Sequence, residues 1–197
     1  PFQIAVRHAV EQSTEKHHWT VFAEEFPWRS EVSTQDGFID LILVNSFRSH
    51  VILIECKRVT DSGWIFLLPW DRQTATKRTT SWVTRYDDWC YWLDWEPEPK
   101  TYESKFCVIP GTESGRKTMI EREASKLVEA TESLAKAEKS AGIVLPHKFK
   151  VYSPVIVTIA NLIIYKFNSQ DYNLESGKLD DASFEDISAI RFRKSLK

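Results

Sequence analysis

The chain has 197 residues, of which 42% are hydrophobic, with 26 basic and 28 acidic side chains. This composition predicts one globular core and excludes intrinsic disorder. No uncharged apolar run approaches the ~18 residues that a membrane span requires, so a spanning segment is excluded as well. The net charge of −2 provides no overall basic field for nucleic acid. Any nucleic-acid binding must therefore come from local basic patches.

The cysteines and the first residues of the chain indicate the compartment. Cys56, Cys90 and Cys107 lie far apart and include no CxxC pair, which argues against a structural zinc site and against a disulfide framework. We therefore expect a reducing, cytoplasmic setting. The sequence begins without methionine and without a basic-then-apolar signal pattern, so we expect a processed or trimmed chain that is not exported.

The first part of the chain contains one helical pattern followed by three strand patterns. Apolar residues at helical spacing predict a helix over residues 2–16. Aromatic and β-branched residues predict a strand over residues 20–28, and nearly continuous apolar runs predict strands over residues 38–44 and 51–57. Because the link between the last two runs is short and polar, we expect these strands to form a hairpin.

The remainder combines an irregular segment with one long helix. Residues 61–104 have weak periodicity and hold six of the eight tryptophans, and we interpret them as an insertion after the third strand. The apolar stripe of residues 116–141 predicts an amphipathic helix that ends at Gly142. This order predicts a single α/β domain over residues 1–197. Further short strands are predicted at residues 106–109, 154–160, 162–167 and 189–193.

Two acidic side chains interrupt the apolar strands. Asp40 lies inside one run and Glu55 lies near the end of the next. Burial of an ionised carboxylate costs several kcal/mol unless a partner or a metal compensates, so such residues are candidate sites. Successive strand residues point to opposite faces, so Glu55 and Lys57 share one face while Cys56 points to the other. If the hairpin pairs as predicted, Asp40 joins Glu55 and Lys57 at one point.

These residue types suit metal-assisted chemistry on a phosphate. Mg²⁺ prefers a few carboxylates together with water and phosphate oxygens, and a nearby lysine can orient water and stabilise developing negative charge. The sequence has Asp40, then fourteen intervening residues, then Glu55-Cys56-Lys57, within apolar strands that follow a helix. This pattern resembles the PD-(D/E)xK nuclease superfamily. Ile39 stands where the name of the motif has proline.

The resemblance covers residues 2–60 and 105–167 and implies a fold. That fold is an αβα sandwich with a central mixed β-sheet, known as restriction-endonuclease-like, with a metal at the edge of the sheet. The tryptophan-rich insertion after the third strand lies outside the resemblance.

The resemblance also implies a role for each site residue. Asp40 and Glu55 match the metal-binding carboxylates for Mg²⁺ or Mn²⁺, and Lys57 matches the catalytic lysine. The backbone carbonyl of Cys56 would be an additional metal ligand. Glu11 matches a glutamate of the first helix that reaches the metal through water, although a solvated glutamate on a helix face remains an equal alternative.

Charge in the insertion is divided into two halves. Residues 64–86 carry a net charge of +3, and residues 87–103 carry a net charge of −5. We consider three interpretations: a satellite core built on the tryptophans, nucleic-acid contact by the basic half, and a protein interface on the acidic half. The candidate nucleic-acid-binding residues, which alternate with aromatic side chains, are Arg72, Lys77, Arg78 and Arg85.

Together these features predict a metal-dependent phosphodiesterase. We expect a DNA endonuclease, although the spacing of the residues does not itself distinguish DNA from RNA. Two such active sites commonly cut the two strands of a duplex, so a homodimer is a further expectation. The alternative is a catalytically inactive nuclease-fold module that binds nucleic acid or a protein partner through the tryptophan-rich insertion.

Overall fold

The structure is a computed structural model, and its described residues form an α/β fold with mixed β-sheets and two helices. Strand predominates among these residues. The predicted α/β class is therefore confirmed. The residues described are 1–31, 33–59, 63–69, 79–85, 90–95, 101–109, 118–143, 149–168 and 183–193.

In the described part of the chain, a helix and eight strands are followed by a second helix and four strands. The first elements are α1 (Phe2–His17), β1 (Trp19–Arg29), β2 (Asp36–Asn45), β3 (His50–Lys57), β4 (Trp64–Pro69), β5 (Thr79–Arg85) and β6 (Cys90–Trp95). The later elements are β7 (Tyr102–Ser104), β8 (Phe106–Val108), α2 (Met119–Ser140), β9 (Phe149–Thr158), β10 (Leu162–Phe167), β11 (Ser183–Ile187) and β12 (Ile190–Phe192).

Contacts within the chain define two compact units. The first comprises Pro1–Arg58, Thr80–Trp95 and Glu123–Thr158, and the second comprises Val59–Thr79, Glu96–Arg122 and Ile159–Lys197. The single domain over residues 1–197 stays a prediction beside this division.

The first unit contains a six-stranded sheet with the strand order β1-β2-β3-β9-β5-β6. The strands β1, β2 and β3 are antiparallel neighbours, whereas β9 runs parallel to β3. The predicted hairpin of β2 and β3 is thus confirmed. Its turn is held by the Asn45 side chain, whose Oδ1 accepts hydrogen bonds from the backbone N–H groups of Ser49 and His50 at 2.9 and 3.1 Å.

The two helices pack against opposite faces of this sheet. Ile42 belongs to a buried cluster with Leu127 of α2. Its neighbour Leu43 belongs to another cluster, against which Val6 and Val10 of α1 pack. Because neighbouring strand residues point to opposite faces, the two clusters lie on different sides of the sheet.

The second unit has its own sheets and its own core. Its four-stranded sheet has the order β11-β10-β4-β8, and β12 pairs with β7 in a two-stranded sheet. β4 and β10 are parallel, and the Trp64 N–H donates to the Asn161 carbonyl at 2.8 Å beside them. Phe66 is fully buried and meets Phe192 edge-on, with ring centroids 6.1 Å apart.

The predicted insertion, residues 61–104, contributes strands to both units. β4 and β7 belong to the second unit, whereas β5 and β6 extend the six-stranded sheet of the first. Trp82 of β5 is buried in the same cluster as Leu127, and Trp92 of β6 packs against it edge-on at 5.1 Å. These two tryptophans therefore contribute to the core of the six-stranded sheet rather than to a satellite core.

Both ends of α2 carry the signals expected of a helix terminus. Thr118 and Glu121 form a capping box, in which Glu121 Oε2 accepts from the Thr118 N–H at 2.8 Å. At the other end Gly142 has a φ of +69° and donates to the Lys139 carbonyl. Neither helix in the described part of the chain combines the length and apolar character needed to cross a membrane.

Substitution of Gly142 tests this helix end. Apart from Gly142 and its neighbours in the chain, no described residue approaches within 4 Å of the position that a Cβ would occupy, so the cost of Gly142→Ala comes from the left-handed backbone. We expect the free energy of unfolding, measured by urea denaturation, to fall by about 1–2 kcal/mol. Gly142→Asn should lose less, because asparagine tolerates this conformation. Equal losses for the two variants would contradict this explanation.

Candidate active site

The position of Asp40 depends on where the β2–β3 hairpin stops. The register runs from Val44 opposite Val51 to Leu41 opposite Ile54. One residue beyond Leu41, the carboxylate of Asp40 replaces the backbone ladder, since its Oδ2 accepts a hydrogen bond from the Cys56 N–H at 2.7 Å. The side chain of Asp40 is thereby fixed beside the residues that flank Cys56.

Helix α1 contacts the backbone of Asp40. The Gln3 side-chain amide donates to the Asp40 carbonyl oxygen at 2.7 Å. Glu11 instead pairs with Arg7 at 2.9 Å, and Arg7 also contacts Glu24 at 2.8 Å. Gln3 is thus the α1 residue that contacts Asp40, and the role of Glu11 at a metal stays a prediction.

Lys57 lies between two carboxylates. Its Nζ is 2.6 Å from Oε1 of Glu55 and 3.2 Å from Oε2 of Glu123, which comes from α2. The side chains of Glu55, Lys57 and Glu123 are only 15%, 25% and 13% exposed. The predicted convergence of Glu55 and Lys57 on one face is present, together with a third charged group from a helix.

Sequence reasoning did not identify Glu123, although a signal for it exists. Glu123 lies three residues after Ile120 and four residues before Leu127, both of which are buried on the apolar stripe of α2. Residues at this spacing lie on one helix face. An acidic residue within a buried stripe is the same kind of anomaly that identified Asp40.

Burial and neighbouring charges shift the proton affinities of this group. Burial is the largest cause that raises the pKa of Glu55, and the charges of Asp40 and Glu123 raise it further against the hydrogen bond from Lys57. For Lys57, burial alone would lower the pKa, but the hydrogen bond and charge of Glu55, followed by Glu123, raise it above the ordinary value. Lys57 is therefore an ammonium group at neutral pH.

The environment of Cys56 makes its thiol unreactive. Its side chain packs against the cluster of Leu41 and Ile54, on the face away from Lys57. Burial, followed by the charges of Asp40 and Glu55, raises the pKa of its thiol to about 12. The thiol is therefore protonated and unsuited to act as a nucleophile. The Cys56 carbonyl as a metal ligand stays a prediction.

A partly open cleft of about 170 Å³ lies beside the charged group. Its apolar lining includes Trp28 and Ile39, and its charged lining includes Glu55, Lys57 and Glu123. Pockets that enclose a whole small molecule usually measure about 300–1,000 Å³. The cleft is therefore of a size to accept one group of a larger ligand rather than a complete small molecule.

The donor atoms suit a hard divalent cation. Asp40 Oδ2 and Glu55 Oε1 are engaged by Cys56 and Lys57, which leaves a second oxygen on each carboxylate for a ligand. One or two carboxylates with water and phosphate oxygens meet the demand of Mg²⁺. Among the residues that the structure describes, no three histidine, cysteine, aspartate or glutamate side chains form a metal-binding group. Any metal here would thus depend on this carboxylate pair.

The candidate nucleic-acid-binding residues of the insertion are described only in part. Arg72, Lys77 and Arg78 lie outside the described residues. Arg85 is exposed at the end of β5, where it lies opposite Phe149 of β9. Their contact with nucleic acid stays a prediction.

Comparisons of the chain with protein-family models, with curated proteins and with solved structures found no match. The function of the protein is therefore to be inferred from its own side chains. Those side chains are a carboxylate fixed where a strand ladder stops, a buried lysine between two glutamates, and the cleft beside them.

Glu55→Gln tests the electrostatic cost of this group. The pKa of Glu55 is raised in the folded protein, so its protonated form stabilises the fold, and that stability is lost as the pH rises through the raised pKa. Because glutamine mimics the protonated form, we expect Glu55→Gln to have a higher Tm than the parent at pH 7. The difference should shrink as the pH falls toward 4.5.

Thermal denaturation followed by circular dichroism at pH 5, 6 and 7 measures this difference. Glu15→Gln, at an exposed position of α1, is the matched control and should show no such pH-dependent gap. A lower Tm for Glu55→Gln at pH 7 would show that Glu55 is a net stabilising ion-pair partner instead.

Proposed function

We propose that this protein is a divalent-metal-dependent nuclease of the PD-(D/E)xK type that hydrolyses phosphodiester bonds, with DNA as the expected substrate. The observation that carries the proposal is the junction of Asp40 with Glu55-Cys56-Lys57. Asp40 Oδ2 accepts a hydrogen bond from the Cys56 N–H at 2.7 Å. On the strand face opposite to the Cys56 side chain, Lys57 Nζ lies 2.6 Å from Glu55 Oε1. A structural ion pair alone would not require the additional half-buried Asp40.

The fold supports the same proposal. Helix α1 is followed by the antiparallel strands β1, β2 and β3, and α2 precedes β9, which runs parallel to β3. The two helices pack against opposite faces of the sheet. This arrangement is the one expected of a restriction-endonuclease-like αβα sandwich, with the carboxylates where β2 and β3 stop pairing.

In this mechanism Asp40 and Glu55 would hold Mg²⁺ or Mn²⁺. The bound ion would polarise a phosphoryl oxygen and lower the pKa of a bound water. Lys57 is already protonated, so it cannot accept the proton of the attacking water. Its role is to donate hydrogen bonds that orient the water and to stabilise the negative charge that develops on the phosphoryl oxygens.

Glu123 completes this role as a positioning residue. It contacts Lys57 at 3.2 Å and contributes to the raised pKa of that ammonium group. With Glu55 on its other side, Lys57 has two carboxylates that limit the directions in which its remaining N–H bonds can point. The charge and the direction of the lysine are thus both set before substrate binds.

Incubation of the purified protein with plasmid, single-stranded DNA and RNA tests the proposal directly. We expect cleavage in Mg²⁺ or Mn²⁺ and none in EDTA. Lys57→Ala should lower the rate by about 10²–10³-fold, the usual loss when one group that stabilises the transition state is removed. Asp40→Asn should abolish cleavage by weakening the metal site, with Lys16→Ala and Glu15→Gln as exposed controls on α1.

Two results would overturn the proposal. One is cleavage that persists in EDTA, and the other is a set of Asp40 and Lys57 variants as active as the parent. Absence of cleavage together with absence of Mn²⁺ binding in calorimetry would favour the inactive binding module instead.

Glu123→Gln distinguishes a positioning residue from a metal ligand. If Glu123 acts through Lys57, the variant should bind Mn²⁺ in calorimetry with the affinity of the parent while its cleavage rate falls. Glu123→Asp should recover part of the rate, because it keeps the charge. A fall in Mn²⁺ affinity equal to that of Asp40→Asn would instead identify Glu123 as a ligand.

A further inference from the structure

The cleft beside the candidate active site contains an unused hydrogen-bond donor. Trp28 of β1 lines it and is only 8% exposed. Among the described residues, none accepts a hydrogen bond from its indole N–H. The indole nitrogens of Trp64 and Trp82 are also unpaired but are sealed from solvent, whereas that of Trp28 is not. The Trp28 donor is therefore available to a group that enters the cleft.

Gly37 keeps this donor uncovered. It lies opposite Trp28 in the register of β1 and β2, and a Cβ at position 37 would lie 3.4 Å from Trp28 Nε1. Unlike Gly142, Gly37 does not have a positive φ, so its backbone does not require glycine. Glycine inside a strand weakens the strand and often marks a place where a ligand approaches closely. The missing side chain thus leaves space in front of the indole N–H.

The charges around the cleft define the chemistry that it can accept. Lys126 of α2 also lines the cleft, and its side chain is 57% exposed. The lining carboxylates of Asp36, Glu55 and Glu123 and the lining ammonium groups of Lys57 and Lys126 carry a net charge of −1, and Asp40 beside them brings it to −2. An anion would therefore be repelled unless a divalent cation is present. A divalent cation held by Asp40 and Glu55 would bring this net charge to zero and remove the repulsion. An anionic acceptor that arrives with a metal ion fits this balance.

We propose that Trp28, Gly37 and Lys126 form a phosphate-binding subsite for the nucleic-acid strand, adjacent to the phosphodiester that is cut. The Trp28 N–H donates to an oxygen of a neighbouring phosphate, and Lys126 supplies the opposite charge. The subsite rests on the proposed nuclease function, and the size of the cleft suits one phosphate group of a longer chain. At this point the protein accordingly contacts the phosphate backbone of the substrate and not the edges of its bases.

Oligonucleotide binding tests the subsite without relying on cleavage. Fluorescence anisotropy of a labelled oligonucleotide is measured in Mg²⁺ in the Lys57→Ala background, which keeps both candidate metal carboxylates. We expect Trp28→Phe, which removes only the N–H, to weaken binding about 10-fold or more, as for a lost hydrogen bond to a charged group. Gly37→Ala, which covers the donor, and Lys126→Gln should weaken it similarly, whereas Lys16→Gln should not.

An NMR measurement tests the Trp28 contact itself. In the indole region of a ¹H–¹⁵N spectrum, the resonance that is missing in Trp28→Phe should shift when the oligonucleotide is added. Gly37→Ala and Lys126→Gln serve if Trp28→Phe does not fold, because their sites are open enough to accept the changes.

The outcomes separate this inference from the proposed function. If the parent cleaves but, in the Lys57→Ala background, Trp28→Phe and Gly37→Ala bind as well as Lys57→Ala alone and the Trp28 resonance does not shift, the subsite is wrong and the nuclease stands. If the parent does not cleave but these variants lose binding, the cleft binds a phosphate of the nucleic acid and the nuclease is wrong.

Discussion

The hydrogen bond from the Cys56 N–H to Asp40 Oδ2 is the contact on which the candidate site depends. Adjacent antiparallel strands normally satisfy their backbone groups with each other, and β2 and β3 do so as far as Leu41 and Ile54. At the next position a side-chain carboxylate takes over the role of a backbone acceptor. This hydrogen bond satisfies the Cys56 N–H and fixes the side chain of Asp40. The negative charge of Asp40 is then close enough to raise the pKa of Glu55. The geometry of the site is thus a direct consequence of how the hairpin ends.

The charged groups around Lys57 also affect the stability of the fold. Glu55 is held in its charged form mainly by Lys57, against burial and two nearby carboxylates. An arrangement optimised for stability alone would separate like charges or neutralise them, because a buried carboxylate without full compensation costs free energy. Sites that work by electrostatics commonly retain such a cost. Because Lys57 lies between Glu55 and Glu123, its positive charge allows both glutamates to be mostly buried.

Much of the first unit could be predicted from the sequence, because its patterns are local. Helical spacing predicted residues 2–16, where α1 extends from Phe2 to His17, and strand alternation placed Glu55 and Lys57 on one face. The buried stripe of α2 contains a signal for Glu123, but its contact with Lys57 depends on where α2 crosses the sheet, which no local pattern specifies. Gln3 was missed because it acts through an ordinary amide rather than a charge. The strand β5 was not predicted because it is buried on both faces and two of its four buried residues, Ser81 and Thr84, are polar, so it shows no apolar alternation.

The parallel pairing of β3 with β9 has a consequence for the order of folding. The hairpin of β2 and β3 joins residues that are close in the chain, so Asp40, Glu55 and Lys57 can meet through a short loop closure. Glu123 and β9 come from a distant part of the chain, and contacts of such long range form slowly because the loop between them must first be closed. A chain that emerges from the ribosome would therefore assemble the two strand carboxylates early. It would gain the second partner of Lys57, Glu123, only when α2 has been synthesised and packed on the sheet, so the ammonium group is held by both carboxylates late in folding.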